Sequence, residues 1–426
     1  MAWKAIGSGD FARLWAALSL SLLGSEITAL AIPLLAALTL RASALEMGAL
    51  AAAGHVPFLL FSLPAGAMID RLPRKPVLIA TDIASSFLLL SVPLALPFGG
   101  PTFLHLCAIA FGLGTMTVVS EVAHYAYVPS LMGRERLTES NSKLQVSHSV
   151  AAATGPGVAG ALVQLFSAPV AVLADAASFV ISAALLRSIR RPEPPTRSLE
   201  GDLPMRRSIA EGLRILLGHP VLRAIVVASV PISFFMSGFG AIYVLYATRD
   251  LGLGPGTIGL IFAGGGVGAV SGALLAGRAA VRFGVGPAII GGWILAAAGA
   301  LVVPLAAGPT ALVIAILTMA KAFEGVTYTV ANVHQWSLRQ VITPDHLAGR
   351  VTGGHRFTVY GAGAAGALVG GALGAALDLR SALLICAFGA LISPLVAAFS
   401  PLRRLREPPT SDHLVSTSMA GAGPPT

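Results

Sequence analysis

A short cationic turn constrains this chain more than any other feature. GAMIDRLPRKP, at 66–76, sits between two long apolar runs, and GRAAVRFGVGP echoes it at 277–287, 211 residues further on. Gly66 matches Gly277, Arg71 matches Arg282 and Pro76 matches Pro287. A charged turn that recurs at one place in two halves of a greasy chain is the mark of a duplicated helical bundle. It limits the fold to two copies of one helix array and a connector.

Hydrophobic residues make up 55% of the chain and charged residues 11%. A soluble domain carries roughly a quarter charged residues, so this chain cannot wet a globular surface and is expected to be an integral membrane protein. About 20 apolar residues cross the hydrocarbon core as a helix that satisfies its own backbone hydrogen bonds. Such runs lie at 13–38, 46–69, 77–97, 102–126, 144–166 and 168–188, then at 221–247, 256–279, 286–306, 309–332, 352–375 and 380–401. The expected fold is therefore all-α, with twelve transmembrane helices in two six-helix bundles, 1–188 and 221–402. The Pro- and Arg-rich stretch 189–220 is the expected linker on the cytoplasmic side, with 206–217 able to form an amphipathic surface helix. The tail 403–426 is expected to be disordered. Residues 14–40 are too long for a signal-peptide core and carry Glu26 in their middle, so they read as a retained first helix.

The net charge of +9 does not point to nucleic acid, because the basic residues fall in short turns between apolar spans. Of 28 Lys and Arg, Arg41, Arg249 and Arg380 fall on one side and Lys321 within a span, which leaves 24 on the side of the termini and the linker. The positive-inside rule then places both termini in the cytoplasm of a multi-pass protein. Cys107 and Cys386 lie inside apolar runs without metal-ligand spacing, so neither a disulfide nor a metal site is expected. No G-x-x-x-x-G-K-[ST] motif appears, and GGGVG at 264–268 lies inside a span, which excludes an in-chain ATP motor.

A second correspondence supports the duplication. VPSLMGRERL at 128–137 parallels RQVITPDHLAGR at 339–350, with Leu137 against Leu347 and Glu135 against Asp345. Two parallel six-helix repeats are the imprint of an alternating-access transporter. The first turn resembles the signature of the major facilitator superfamily between helices 2 and 3, G-x-x-x-D-R-x-x-R-K, with Gly66, Asp70, Arg71, Arg74 and Lys75 at its fixed places. Pro73 stands where that family usually has Gly. TGPGVAG at 154–160 resembles the G-P-x-x-G-G motif of proton-coupled exporters, with Gly155, Pro156 and Gly160 matching and Ala159 replacing a Gly. The alternative for these residues is helix packing alone. PSLMGRERLTESNSKLQVSHSVA and ADAASFVISA are similar to a bacterial exporter branch that includes the enterobactin exporter and macrolide-efflux-type proteins.

That resemblance implies an exporter of a hydrophobic or amphipathic small molecule (a drug, siderophore or secondary metabolite) in the bacterial inner membrane. It would be driven by proton antiport without a cofactor, and would be monomeric. It also implies that helices 1, 4, 7 and 10 line a central cavity, and that the turn at Asp70 packs against helix 11 as a latch. The second turn, with Val281 in place of Asp70, would latch more weakly.

A charge in mid-membrane costs roughly 2.5–3.5 kcal/mol on insertion scales and needs a partner, water or a task. Glu26 falls on helix 1, Glu121 and His124 on helix 4, and Lys321 and Glu324 on helix 10. Lys321, Glu324, Tyr328 and Asn332 share one helical face. Lys321 and Glu324 either neutralise each other across a turn or act in the cavity. Glu26 has no local partner and is the leading proton or cation-recognition carboxylate, with Glu324 second. Glu121 either pairs with nearby Arg134 or Arg136 or has a transport role. His124 either relays protons or only hydrogen-bonds. Ser229, Ser233 and Ser237 add a polar stripe to helix 7, while Asp82 and Asp175 are expected to hold helices together. A proton-coupled importer, or a non-transporting membrane sensor, is the alternative. No catalytic constellation is evident, so an enzyme is not expected.

Overall fold

The structure is a computed structural model that describes residues 9–69, 72–132, 137–191, 193, 214–343 and 347–406. Twelve long helices run through them in alternating directions. The first half comprises α1 (Gly9–Leu34), α2 (Ala44–Ile69), α3 (Arg74–Leu94), α4 (Phe103–Met132), α5 (Leu137–Leu165) and α6 (Ala168–Arg187). The second comprises α7 (Pro220–Arg249), α8 (Pro255–Phe283), α9 (Val285–Leu305), α10 (Thr310–Ile342), α11 (Ala348–Ala376) and α12, which runs Leu379–Ala390 and resumes at Ile392–Ala398. Most of the linker and everything after Arg406 lie outside the described residues.

Eleven of the helices are long and apolar enough to cross a membrane. The other is α5, whose sequence includes Ser142, Ser147, His148, Ser149, Thr154 and Gln164. Phe87, Leu104 and Leu274 stand exposed on the outside, as expected of a surface that meets lipid rather than water. Glycines at positive φ turn the chain at Gly99, Gly100, Gly252, Gly284 and Gly308, where a Cβ would be strained.

Within the first half α1 packs on α5 and α6, α3 on α4 and α6, and α2 on α4; the second half repeats this with α7 on α11 and α12 and α10 on α8 and α9. The halves meet along α2–α11 and α5–α8, whereas α4 and α10 have at most glancing contact. Calling the end that holds residue 9 and residue 406 the terminal face, the core divides by depth. Near the far face one continuous apolar cluster spans both halves, from Ile27, Leu30 and Met47 to Phe239, Tyr243 and Leu383. Toward the terminal face there are two separate cores, one around Leu14, Tyr127 and Leu186 and one around Trp293, Leu338 and Leu402. The far face is closed by that shared core. Toward the terminal face the halves have separate cores, although α2 and α11 stay in contact there, where a Cβ on Gly353 would lie 3.4 Å from the Ser62 carbonyl oxygen.

The repeated turns do one job in both halves. Lys75, at the start of α3, donates from Nζ to the carbonyls of Ile189 at 2.6 Å and Arg187 at 3.3 Å, and its backbone N–H reaches Glu193 Oε1 at 3.0 Å. It thereby satisfies carbonyls that the end of α6 leaves unpaired. In the second half the backbone N–H groups of Val285 and Gly286 donate to the carbonyls of Arg406 at 3.2 Å and Leu405 at 2.8 Å. Each turn thus ties down the chain just after the sixth helix of its own half. Asp70 and Arg71 lie outside the described residues, and Gly66 and Arg74 belong to the ends of α2 and α3.

Two crossings hold the far face shut, and they are near copies. A Cβ on Gly48 would lie 2.5 Å from the Ala367 carbonyl oxygen and 2.9 Å from Gly371 Cα. One on Gly160 would lie 2.5 Å from the Pro255 carbonyl oxygen and 2.8 Å from Gly259 Cα. In each pair the facing glycine is equally tight against the residue four before its partner, Ala44 for Gly371 and Pro156 for Gly259. Close backbone approach through small residues is how helices associate in lipid.

A third tie is polar. Pro33 and a π-turn at Leu35–Thr39 loosen the end of α1, and Arg41 takes φ of 50°. Arg249, at the end of α7, donates to the carbonyls of Arg41 at 2.9 Å and Ala42 at 2.8 Å.

Candidate functional site

The intramembrane charges gather around the gap between the halves. On α1, Gly24 and Thr28 face α6: a Cβ on Gly24 would strike Asp175 and Ser178, and Thr28 donates to Asp175 Oδ2. Asp175 also accepts from Ser178 at 3.0 Å, so it does join α1 to α6. Glu26 lies about 200° round the helix from both Gly24 and Thr28 and so points away from α6, into the bundle. Its carboxylate makes no hydrogen bond or ion pair among the described residues, and it is half-buried. Gly155 of α5 packs directly on Glu26, where a Cβ would come within 2.4 Å of Glu26 Cβ.

Across the gap, Lys321 and Glu324 of α10 form an ion pair at 2.9 Å. Their depth matches that of Glu26. Gly265 of α8 packs on Lys321, Gly157 of α5 meets Ala263 of α8, and Gly155, beside Glu26, lies two residues before Gly157. Tyr328 and Asn332 continue the α10 face toward the terminal end; Tyr328 is 40% exposed.

The ammonium of Lys321 is also ringed. It stands 4.8 Å from the ring centroid of Tyr243, 5.4 Å from Phe262 and 5.6 Å from Phe239. Tyr243 and Phe262 are edge-to-face at 5.2 Å. Phe239 and Tyr243 are 0% and 1% exposed, and the Tyr243 hydroxyl is buried without a hydrogen-bond partner among the described residues. These rings come from α7 and α8. The polar stripe read on helix 7 gave no hint of Phe239 or Phe262, since aromatics on other helices give no local signal.

Nearer the terminal face a second layer crosses between halves. Glu121 of α4 pairs with Arg356 of α11, so its partner comes from the other half; Arg134 and Arg136 lie outside the described residues. Phe58 of α2 stacks on Tyr360 of α11 at 4.1 Å, and His55 approaches the same ring at 5.8 Å. His124 lies beside Glu121 on α4, with Nδ1 buried and unpartnered among the described residues. Ser233 donates to the Val359 carbonyl at 2.6 Å, and Ser229 accepts from Gln335, so these members of the α7 stripe serve helix packing. Gly155, Pro156 and Gly160 likewise form contact surfaces, Gly155 on α1 and the others on α8. Among the described residues no group of His, Cys, Asp and Glu has a metal-binding arrangement, and both cysteines are free.

Comparison with known proteins places these features in a family. The chain is 29% identical to the multidrug efflux pump Tap of Mycolicibacterium fortuitum, over 90% of this chain and 93% of that protein. It is 27% identical to the enterobactin exporter EntS of Salmonella typhimurium, over 82% of each. The nucleoside transporter NupG has the same fold, with a TM-score of 0.71 at 13% identity, over 90% of this chain and 96% of that one. The family profile of the Major Facilitator Superfamily matches residues 14–365 and, again, 227–421. The duplicated six-helix halves, the gap between them and the charges that line it are those of a membrane transporter rather than an enzyme, and the chain belongs to the Major Facilitator Superfamily.

Proposed function

We propose that this chain is a proton-driven exporter of a hydrophobic or amphipathic small molecule, working by alternating access, with Glu26 as the principal proton-binding group. One observation carries the reading. A carboxylate with no ion-pair or hydrogen-bond partner among the described residues faces the central gap, at the depth of the Lys321–Glu324 pair on the opposite half. A lone carboxyl in a cavity that water enters only intermittently suits reversible protonation. The basic residues put the terminal face in the cytoplasm, so the face sealed by the shared core is the outer one. Similarity to a multidrug efflux pump and an enterobactin exporter supports outward transport of drug- or siderophore-like compounds. Asp70 of the first turn would complete the latch on the cytoplasmic side.

The test is efflux from cells or inverted vesicles, across a panel of antibiotics and siderophores, with and without a protonophore. Collapse of the gradient should abolish export, and Glu26→Gln should remove its pH dependence. Normal, pH-dependent efflux by Glu26→Gln would refute the assignment.

A further inference from the structure

We propose that Phe239, Tyr243, Phe262 and Glu324 form a binding site for an alkylated ammonium, occupied in this conformation by the protein's own Lys321, and that a transported organic cation takes its place. The inference rests on the transport reading above and names a substrate class for it. Three ring faces within about 6 Å of one nitrogen, together with a carboxylate, are the elements of a cation–π box. All of them belong to the second half, so the box travels intact when the halves rock.

The resident fits its box poorly. A primary ammonium has three N–H donors and is strongly hydrated. Here one donor meets Glu324 at 2.9 Å, its one hydrogen bond among the described residues, and the ring faces around it accept weakly. The Tyr243 hydroxyl gives no help, since it has no hydrogen-bond partner among the described residues. A tertiary or quaternary ammonium has one N–H or none to satisfy, sheds water more easily and offers the same charge to the rings. The exposures point the same way: the Glu324 side chain is 20% exposed and that of Lys321 13%. A ligand entering from the gap meets the carboxylate first, with the ammonium behind it. Lys321 has a flexible stem and can withdraw toward the open gap as the ligand takes over its contacts.

Benzyltrimethylammonium is the probe, and its binding is measured by titration calorimetry on purified full-length protein in detergent, at pH 7 and pH 9. Lys321→Met should bind it at least tenfold more tightly than wild type at pH 9, and adding Tyr243→Leu should erase the gain. Equal or weaker binding by Lys321→Met at both pH values would overturn the proposal. If that variant does not purify as a folded protein, Phe262→Leu in the wild type should weaken binding at least fivefold, and no change would be equally fatal. A negative binding result leaves gradient-driven export standing, whereas loss of protonophore sensitivity in wild-type vesicles would remove the transport reading itself.

Discussion

The paired glycine crossings make the sharpest test of how this molecule closes. Replacing Gly48 by Ala sets a methyl 2.5 Å from the Ala367 carbonyl oxygen, and Gly160→Ala sets one 2.5 Å from that of Pro255. Ordinary carbon–oxygen contact begins near 3.4 Å, so each crossing must open by about 0.9 Å, against backbone that cannot rotate aside. Overpacking of this kind costs about 1–3 kcal/mol. The cost falls only on the state with the far face closed, so the ratio of closed to open molecules should drop by roughly 5- to 150-fold for each variant. Spin labels at Thr102 and Ala307, exposed at the far end of the two halves, would report it by pulsed electron resonance. Each single variant should add a longer-distance population, and the mirror variants Gly371→Ala and Gly259→Ala should match their partners. If all four variants fold and keep the wild-type distance distribution, the crossings do not set the closed state and the argument fails.

Other outcomes follow from the same contacts. Arg249→Met, which removes the donor to the carbonyls of Arg41 and Ala42, should move the same label distance outward by a smaller population, a few-fold at most. Arg356→Met or Glu121→Gln breaks the cross-half pair on the terminal side; because Glu121 is 36% exposed, the effect on closure should stay near 1 kcal/mol or less, read as faster alkylation of a cysteine placed at Thr117. Asp378 caps α12 by accepting from the Ser381 N–H at 2.8 Å, and this bond holds its carboxyl below the usual range. Its contribution is therefore present above the ordinary carboxylate pKa and is lost as pH falls through the lowered one. Asp378→Ala should melt earlier at pH 7, and the gap to wild type should shrink below about pH 4.

The helices were legible because lipid makes helix formation a matter of length and apolarity. Even so, α5, read from its run at 144–166, is less apolar than the other spans, since its polar and small residues serve contacts with α1 and α8 rather than lipid. The copied turn revealed the duplication, yet its work was hidden: Lys75 caps the end of α6 through a side chain, whereas Gly286 ties down the chain after α12 through its backbone N–H to Leu405, so no residue match betrays the shared role. Glu26, Lys321 and Glu324 stood out as charges in apolar runs. Their surroundings did not, because Phe239 and Phe262 look like any core aromatic until the helices meet. The partner of Glu121 was missed for a related reason: Arg356 is 235 residues away, and only the docking of α4 near α11 brings them together.

One helix joins the proposed proton site to closure. Gly155 lets α5 lie against Glu26, and Gly160, five residues along, makes the far-side crossing with Gly259 of α8. When the far face opens, α5 must leave α8, and the same movement changes the wall against which Glu26 sits and the water that reaches it. Neutralising Glu26 lowers the cost of holding it in a dry closed cavity, so protonation and far-side opening are linked through a single rigid element. A Gly155→Ala variant tests that link. Its methyl would meet Glu26 before any atom of α8, so a transmitted effect on the Thr102–Ala307 distance is expected, together with a shift in the pH dependence of export. A change in export without any change in distance would show that Glu26 acts alone and that α5 is only a wall.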